Sequence, residues 1–299
     1  MKIYIVGVGG IGGYLGGMLA RAGNDVAFVC RGENYQAIKD SGLTVESDKS
    51  GNFIIKPAQI INDISQIANP DLIFLAVKTY DTRTASQALA SVVKPKTIIL
   101  TFQNGVENDL VIKKLVKAQV FPGAAYIITA RVEPGKIKQT GNIVRFVFGD
   151  RNQPVNQDLK TIEKIMLQAK IPTEAATDVT AAIWRKFCLI TAFSGMTAYY
   201  SQPIGPVLKN HRDKYQQCIQ ETINVGLAEK VNLPANLLQE LMTLSDQYQP
   251  ESKSSLLMDV VNHRPTEIET LNGTVVRLAK KYNISVPINN LIYSAIKND

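Results

Sequence analysis

Met1-Lys-Ile-Tyr-Ile-Val-Gly7-Val-Gly9-Gly-Ile-Gly12-Gly-Tyr-Leu-Gly-Gly17 sets a short apolar run directly before Gly-x-Gly-x-x-Gly, the order of a strand, a phosphate loop and a helix. Gly7 permits a tight turn, Gly9 lets backbone N–H groups approach a pyrophosphate, and Gly12 allows the helix to pack on the strand. Val8, Gly10 and Ile11 complete the same cradle. Residues 24–30 read as a second strand, and Arg31 stands at its end. An acidic side chain there would accept from an adenosine 2′-OH, whereas a guanidinium pairs with a 2′-phosphate, so Arg31 favours NADP(H) as cofactor. Glu33 nearby keeps NAD(H) open.

Outward from this loop, residues 70–77 and 97–102 are bounded apolar runs of the kind that form buried parallel strands. Their carboxyl ends carry Lys78 and Gln103-Asn104-Gly105. Open parallel sheets hold ligands outside those ends, which makes Lys78 and Asn104 site candidates. Taken alone, Lys78 reads equally as a solvated loop lysine and Asn104-Gly105 as a turn former. From residue 124 the pattern alternates, with turns expected at Glu133-Pro-Gly135 and Gln139-Thr-Gly-Asn142 between segments ending at Phe148. A helix over about 156–170 and a short strand within 171–177 follow, and beyond Asp178 the strand signals stop. The expected fold is α/β: an N-terminal Rossmann-type doubly wound sheet with antiparallel additions over residues 1–177, then an all-helical C-terminal domain over 178–299.

The chain has 299 residues, 45% of them hydrophobic, enough for two packed cores. Its formal net charge of +7 is spread without a dense basic run or interleaved aromatics, which points to an anionic cofactor and a small acidic substrate rather than nucleic acid. Cys30, Cys188 and Cys218 are scattered, and His211 and His263 are the only histidines, so no disulfide framework and no metal site are expected. Residues 3–20 are uncharged and superficially imitate a signal peptide or membrane span, but seven glycines in that stretch make a poor continuous helix. A cytoplasmic protein without a membrane partner is the expectation. Helical surfaces of the second domain could support a homodimer.

Thr177-Asp178 can cap a helix over 179–200 that is apolar on nearly every face. Lys186 lies inside it, and no charged residue follows until Lys209. An ammonium there needs a partner, a wet cleft or a function; the plain alternative is a lysine snorkelling at the helix edge.

The chain resembles the ketopantoate reductase family along nearly its whole length. The carriers are Gly7-Val-Gly-Gly-Ile-Gly12 with Arg31, Leu75-Ala-Val-Lys78, Gln103-Asn104-Gly105-Val-Glu107, Trp184-Arg-Lys186, Ser254-Ser255-Leu-Leu-Met-Asp259, and Arg264-Pro-Thr-Glu267-Ile-Glu269 with Asn272-Gly273. The resemblance implies NADPH-dependent reduction of 2-dehydropantoate to pantoate, on the route to pantothenate and coenzyme A. It also implies that Lys186 is the general acid and Glu267 a partner of substrate and lysine. Asn104 and Ser255 would be substrate contacts, with Asn104 and Lys78 also beside the cofactor. Glu267 is expected in the first turn of a helix beginning near Pro265, bordering an Ile268, Leu271, Val275, Leu278 stripe. Ser255, on its own, reads as a helix-start residue.

The family commonly places asparagines four and eight residues after its lysine; here those substrate-facing positions are Ile190 and Ser194. A less polar wall predicts poorer recognition of the pantoate hydroxyl and better acceptance of branched aliphatic 2-oxo acids. Two alternatives therefore stand beside the main reading: a broader D-2-hydroxy acid dehydrogenase, and a non-catalytic NADP(H)-binding redox sensor.

Overall fold

The computed structural model describes residues 1–56 and 59–297. The chain divides into two compact units, one of residues 1–103 and 107–179, the other of residues 104–106 and 180–299.

The first unit runs β1 (Ile3–Val6), α1 (Gly10–Arg21), β2 (Val26–Val29), α2 (Gly32–Ser41), β3 (Leu43–Ser47), β4 (Phe53–Ile55), β5 (Gln59–Ile61), β6 (Leu72–Leu75), α3 (Thr82–Leu89), β7 (Ile98–Thr101), α4 (Asn108–Lys113), β8 (Gln119–Glu133), β9 (Lys136–Phe148), α5 (Gln157–Gln168) and β10 (Thr173–Ala175). Every residue of β1, β2, β6 and β7 is buried, as expected of strands covered on both faces. One sheet results, in the order β4-β3-β9-β8-β7-β6-β1-β2-β5, with β10 beside β9. The pairs from β5 across to the start of β8 are all parallel, which is the doubly wound pattern. Chain direction of the winding reverses between β1 and β6, so their carboxyl ends flank the switch point where such sheets take ligands. Apolar cores lie on both faces: Ile5, Leu15, Phe28, Phe74 and Phe146 on one, Tyr4, Val6, Ile73, Leu75 and Leu89 on the other.

The antiparallel addition is the long β8–β9 hairpin, with β3 parallel to β9 and β4 antiparallel to β3. Gln139-Thr-Gly-Asn142 is not the expected turn. It lies inside β9, where the register jumps: Ile127 pairs with Val144 and Ile128 with Thr140, leaving residues 141–143 as a bulge. The reason is Gln139, which is fully buried. It accepts from Ser47 Oγ at 2.6 Å and donates to the Thr140 and Gly141 carbonyls at 2.9 and 2.6 Å, while Gly141 takes φ +78°. The bulge thus keeps the polar side chain satisfied without ending the strand.

The second unit is helical: α6 (Val179–Tyr200), α7 (Ile204–Ala228), α8 (Leu237–Ser245), α9 (Ser255–Val261), α10 (Asn272–Tyr282) and α11 (Pro287–Lys297). A bend at His211 (φ −137°) interrupts α7. The Glu221 carboxylate of α7, 4% exposed, accepts from the Ile288 and Asn289 backbone N–H groups at 3.1 and 3.0 Å and from the Asn289 amide at 2.9 Å. It caps α11 from another helix, where Pro287 contributes no N–H of its own. Asn289 also donates to the Cys218 carbonyl and accepts from Asn272, tying α7, α10 and α11 together. Among the described residues, no helix is long and apolar enough to cross a membrane.

Candidate active site

The three glycines of the phosphate loop differ in what surrounds them. Gly7 has φ +97°, and a Cβ there would lie 2.6 Å from the Val77 backbone nitrogen; at Gly12 a Cβ would lie 2.1 Å from the Gly7 carbonyl oxygen. Both are needed for the chain to fold on itself. A Cβ at Gly9 meets nothing within 4 Å. Its missing side chain keeps open the approach to the N-terminus of α1, which has no side-chain cap. The unpaired N–H groups and partial positive charge of that helix end suit a pyrophosphate, so the residues fit a dinucleotide. Gly10, Ile11 and Val8 complete the loop, and the Val8 carbonyl accepts from Asn34 Nδ2 at 2.9 Å. Ala76 and Val77, beside Gly7, bring the β6 end and the half-buried Lys78 to the same switch point. Arg31 is exposed as the N-cap of α2. Cys30 just before it has its thiol pushed up to about 11 by burial.

Lys186 sits two turns into α6. Its Nζ donates to Asn104 Oδ1 at 2.8 Å, so the two residues meet although 82 positions separate them. That bond fixes the Asn104 amide with its oxygen toward the ammonium. Burial lowers the Lys186 pKa from its ordinary 10.5 to about 8, and the negative charge of Glu267 opposes the drop. The neighbouring Arg185 faces away, in an ion pair with Glu240. Lys186 is therefore a cation that can lose its proton near neutral pH, which a snorkelling surface lysine cannot do.

Glu267 precedes α10 instead of opening a helix at Pro265. Residues 267–271 form a turn in which the Thr270 and Leu271 N–H groups bond back to the Glu267 carbonyl, and the helix starts only at Asn272. Asn272 is fully buried and committed to Asn289 at 2.9 Å, and the helix starts there, seven residues after Pro265. The Ile268, Leu271, Val275, Leu278 stripe is buried as expected.

Ser254, not Ser255, caps α9, accepting from Leu257 N–H at 3.0 Å and bonding Thr197 Oγ1 at 2.7 Å. Ser255 is the exposed first residue of that helix and bonds neither Lys186 nor Asn104. Ile190, one turn beyond Lys186, is partly exposed, whereas Ser194 is buried. Sequence reasoning passed over Asn34 and the capping Ser254. A single Asn on a short helix carries no signal of burial, and in a Ser-Ser pair only geometry tells which side chain turns back to cap.

Residues 3–153 match the family description "Ketopantoate reductase PanE/ApbA", and residues 178–298 match "Ketopantoate reductase PanE/ApbA C terminal". The chain is 28% identical to an uncharacterized oxidoreductase of Bacillus subtilis, over 99% of this chain and 98% of that one. It is 27% identical to a 2-dehydropantoate 2-reductase of Pyrococcus horikoshii, over 99% and 97%. Among solved structures, a ketopantoate reductase from Ralstonia eutropha superimposes with a TM-score of 0.92 at 29% identity, covering 100% of this chain and 98% of that one. A D-mandelate dehydrogenase held with NADH and anilino(oxo)acetate gives a TM-score of 0.91 at 23% identity, over 100% and 98%, a likeness of fold alone.

Proposed function

The chain belongs to the ketopantoate reductase family and is an oxidoreductase, and from that premise we propose that it reduces 2-dehydropantoate to pantoate with NADPH, Lys186 acting as the general acid. The observation that carries the reading is the hydrogen bond from Lys186, in the apolar helix α6, to Asn104, beyond the end of β7, with the lysine lowered by burial to about 8. Gly7–Gly12 would hold the pyrophosphate, Arg31 the 2′-phosphate, and Lys78 and Asn104 the nicotinamide end. The dinucleotide supplies the hydride when bound. Reduction of a 2-oxo carbon builds negative charge on the carbonyl oxygen; the Lys186 ammonium stabilises that charge and gives up one Nζ proton to form the hydroxyl. Asn104 Oδ1 orients the ammonium, Glu267 favours its charged form, and water restores the proton afterwards. Ser255 is a donor for the substrate, and Ile190 belongs to the wall that faces it, whereas the buried Ser194, one turn further along α6, offers it no surface.

The partly exposed Ile190 favours a second reading, a broader 2-hydroxy acid dehydrogenase, since an aliphatic wall discriminates weakly among branched chains. The test is turnover of ketopantoate, 2-oxoisovalerate and 2-oxoisocaproate with NADPH and with NADH, followed by nicotinamide absorbance. Highest kcat/KM for ketopantoate with NADPH supports the proposal. Preference for the plain branched acids makes the second reading correct, and binding of NADPH with no turnover of any acid would leave a redox sensor.

A further inference from the structure

We propose that Arg131, on the β8–β9 hairpin, is a second guanidinium for the cofactor's 2′-phosphate, acting together with Arg31; the proposal rests on the NADPH reading above.

The hairpin is fastened at two points of the nucleotide-binding surface, and Arg131 lies between them. The first is Thr129, whose hydroxyl donates to the Gly10 carbonyl at 3.3 Å; a Cβ at Gly10 would come within 2.7 Å of the Thr129 carbonyl oxygen. The strand therefore runs against the opening turn of α1. The second is Gly135, whose N–H donates to Asn34 Oδ1 at 2.8 Å and whose Cα faces Ala37 of α2. Asn34 is 4% exposed, and its Nδ2 holds the Val8 carbonyl, so one buried amide clamps the hairpin tip, α2 and the phosphate loop together.

Side chains two residues apart on a strand share a face. Arg131 thus stands on the Thr129 side of β8, one pleat, about 7 Å, further from the phosphate loop toward α2. There Arg31 caps the N-terminus of α2, after the last residue of β2. The charge of Arg131 is felt at the Cys30 thiol, directly before Arg31, where it works against the effect of burial. Both arginines are exposed, and among the described residues neither takes part in an ion pair. The Arg31 charge also reaches Asp63, whose carboxyl is held below the usual range first by the Ser65 N–H and then by that guanidinium. Two guanidinium groups free of ion pairs, one at the end of β2 and one on the adjoining hairpin face, match a phosphate dianion, which can accept charge-assisted bonds from both.

The test is calorimetric titration of NADPH and NADH into the wild-type protein and into Arg131→Ala, Arg131→Glu and Arg31→Ala, with thermal unfolding as a check on folding. Arg131→Ala should weaken NADPH about tenfold, the size of one lost charge-assisted contact, and Arg131→Glu more, with NADH moved less than about twofold. Equal weakening of both dinucleotides, or no change in either, would overturn the proposal. If Arg31→Ala abolishes the NADPH preference while Arg131→Ala leaves it intact, the proposal fails and the NADPH reading survives. If wild-type protein binds NADH as tightly as NADPH, both fail.

Discussion

Replacing Glu267 by Gln keeps the shape of the side chain and removes its charge, which the structure identifies as the influence that raises the Lys186 pKa against the lowering by burial. In the wild-type protein, a lysine near 8 is about nine-tenths protonated at pH 7 and about one-tenth at pH 9, whereas an ordinary lysine near 10.4 changes little over that span. As general acid, it should impose a roughly tenfold fall in kcat/KM for the 2-oxo acid between pH 7 and 9 at saturating NADPH. An opposite charge close to an ammonium typically raises its pKa by one unit or more, so Glu267→Gln should move this alkaline limb down by about one pH unit. At pH 7 only about half of the variant would then carry the proton, and at pH 8 about a tenth. The assay is the pH dependence of NADPH consumption in both proteins, with thermal unfolding to show that the variant is folded. A wild-type rate that stays flat past pH 9, or a variant limb that stays in place or moves to higher pH, would refute the assignment of proton donor and partner alike.

Gly9→Ala should leave the melting temperature unchanged and raise the dinucleotide Kd, because its Cβ would meet open space, whereas Gly12→Ala should destabilise the fold against the Gly7 carbonyl; calorimetric melting and titration separate the two. Ile190→Asn should raise kcat/KM for ketopantoate relative to 2-oxoisovalerate, and unchanged relative specificity would remove Ile190 from the substrate wall. Lys186→Met should abolish turnover yet stabilise the protein. The folded state lowers this pKa from 10.5 to about 8, so the fold disfavours the ammonium; that penalty is complete below pH 8 and vanishes as pH rises toward 10.5. After discounting for partial exposure, the gain at pH 7 is of order 2 kcal/mol, and denaturant unfolding at pH 7 and 10 should show it shrinking.

How much was legible depended on the range of the interaction that fixed each feature. β1, the glycine loop, β2 and α6 are written in local periodicity, and α6 spans the expected residues 179–200. The bulge at 141–143 was not, since Gln139-Thr-Gly-Asn142 has the composition of a turn and only the burial of Gln139 against Ser47 keeps the strand going. The start of α10 was misplaced for a related reason. Pro265 is an ordinary first helical residue, but Asn272 is held in the core by Asn289, and that pairing overrides the local signal. The meeting of Lys186 with Asn104 lay beyond spacing arguments altogether; the family's motifs implied a role for each but did not pair them.

The cap that Glu221 gives α11 bears on the order in which the helical unit is built. Its bonds to Ile288 and Asn289 close loops of 67 and 68 residues, so α11 acquires its N-terminal partner only after that long segment has been synthesised and brought back to α7. An 11-residue helix opening with proline is marginal by itself, because nucleation costs more than so few turns return. During synthesis, α7 can therefore form and dock while α11 is still unstructured, leaving the Glu221 carboxylate hydrated until the final helix arrives. Docking then dehydrates the carboxylate and fastens the helix in a single late event, which makes non-local closure at α11 the slow step expected of this unit.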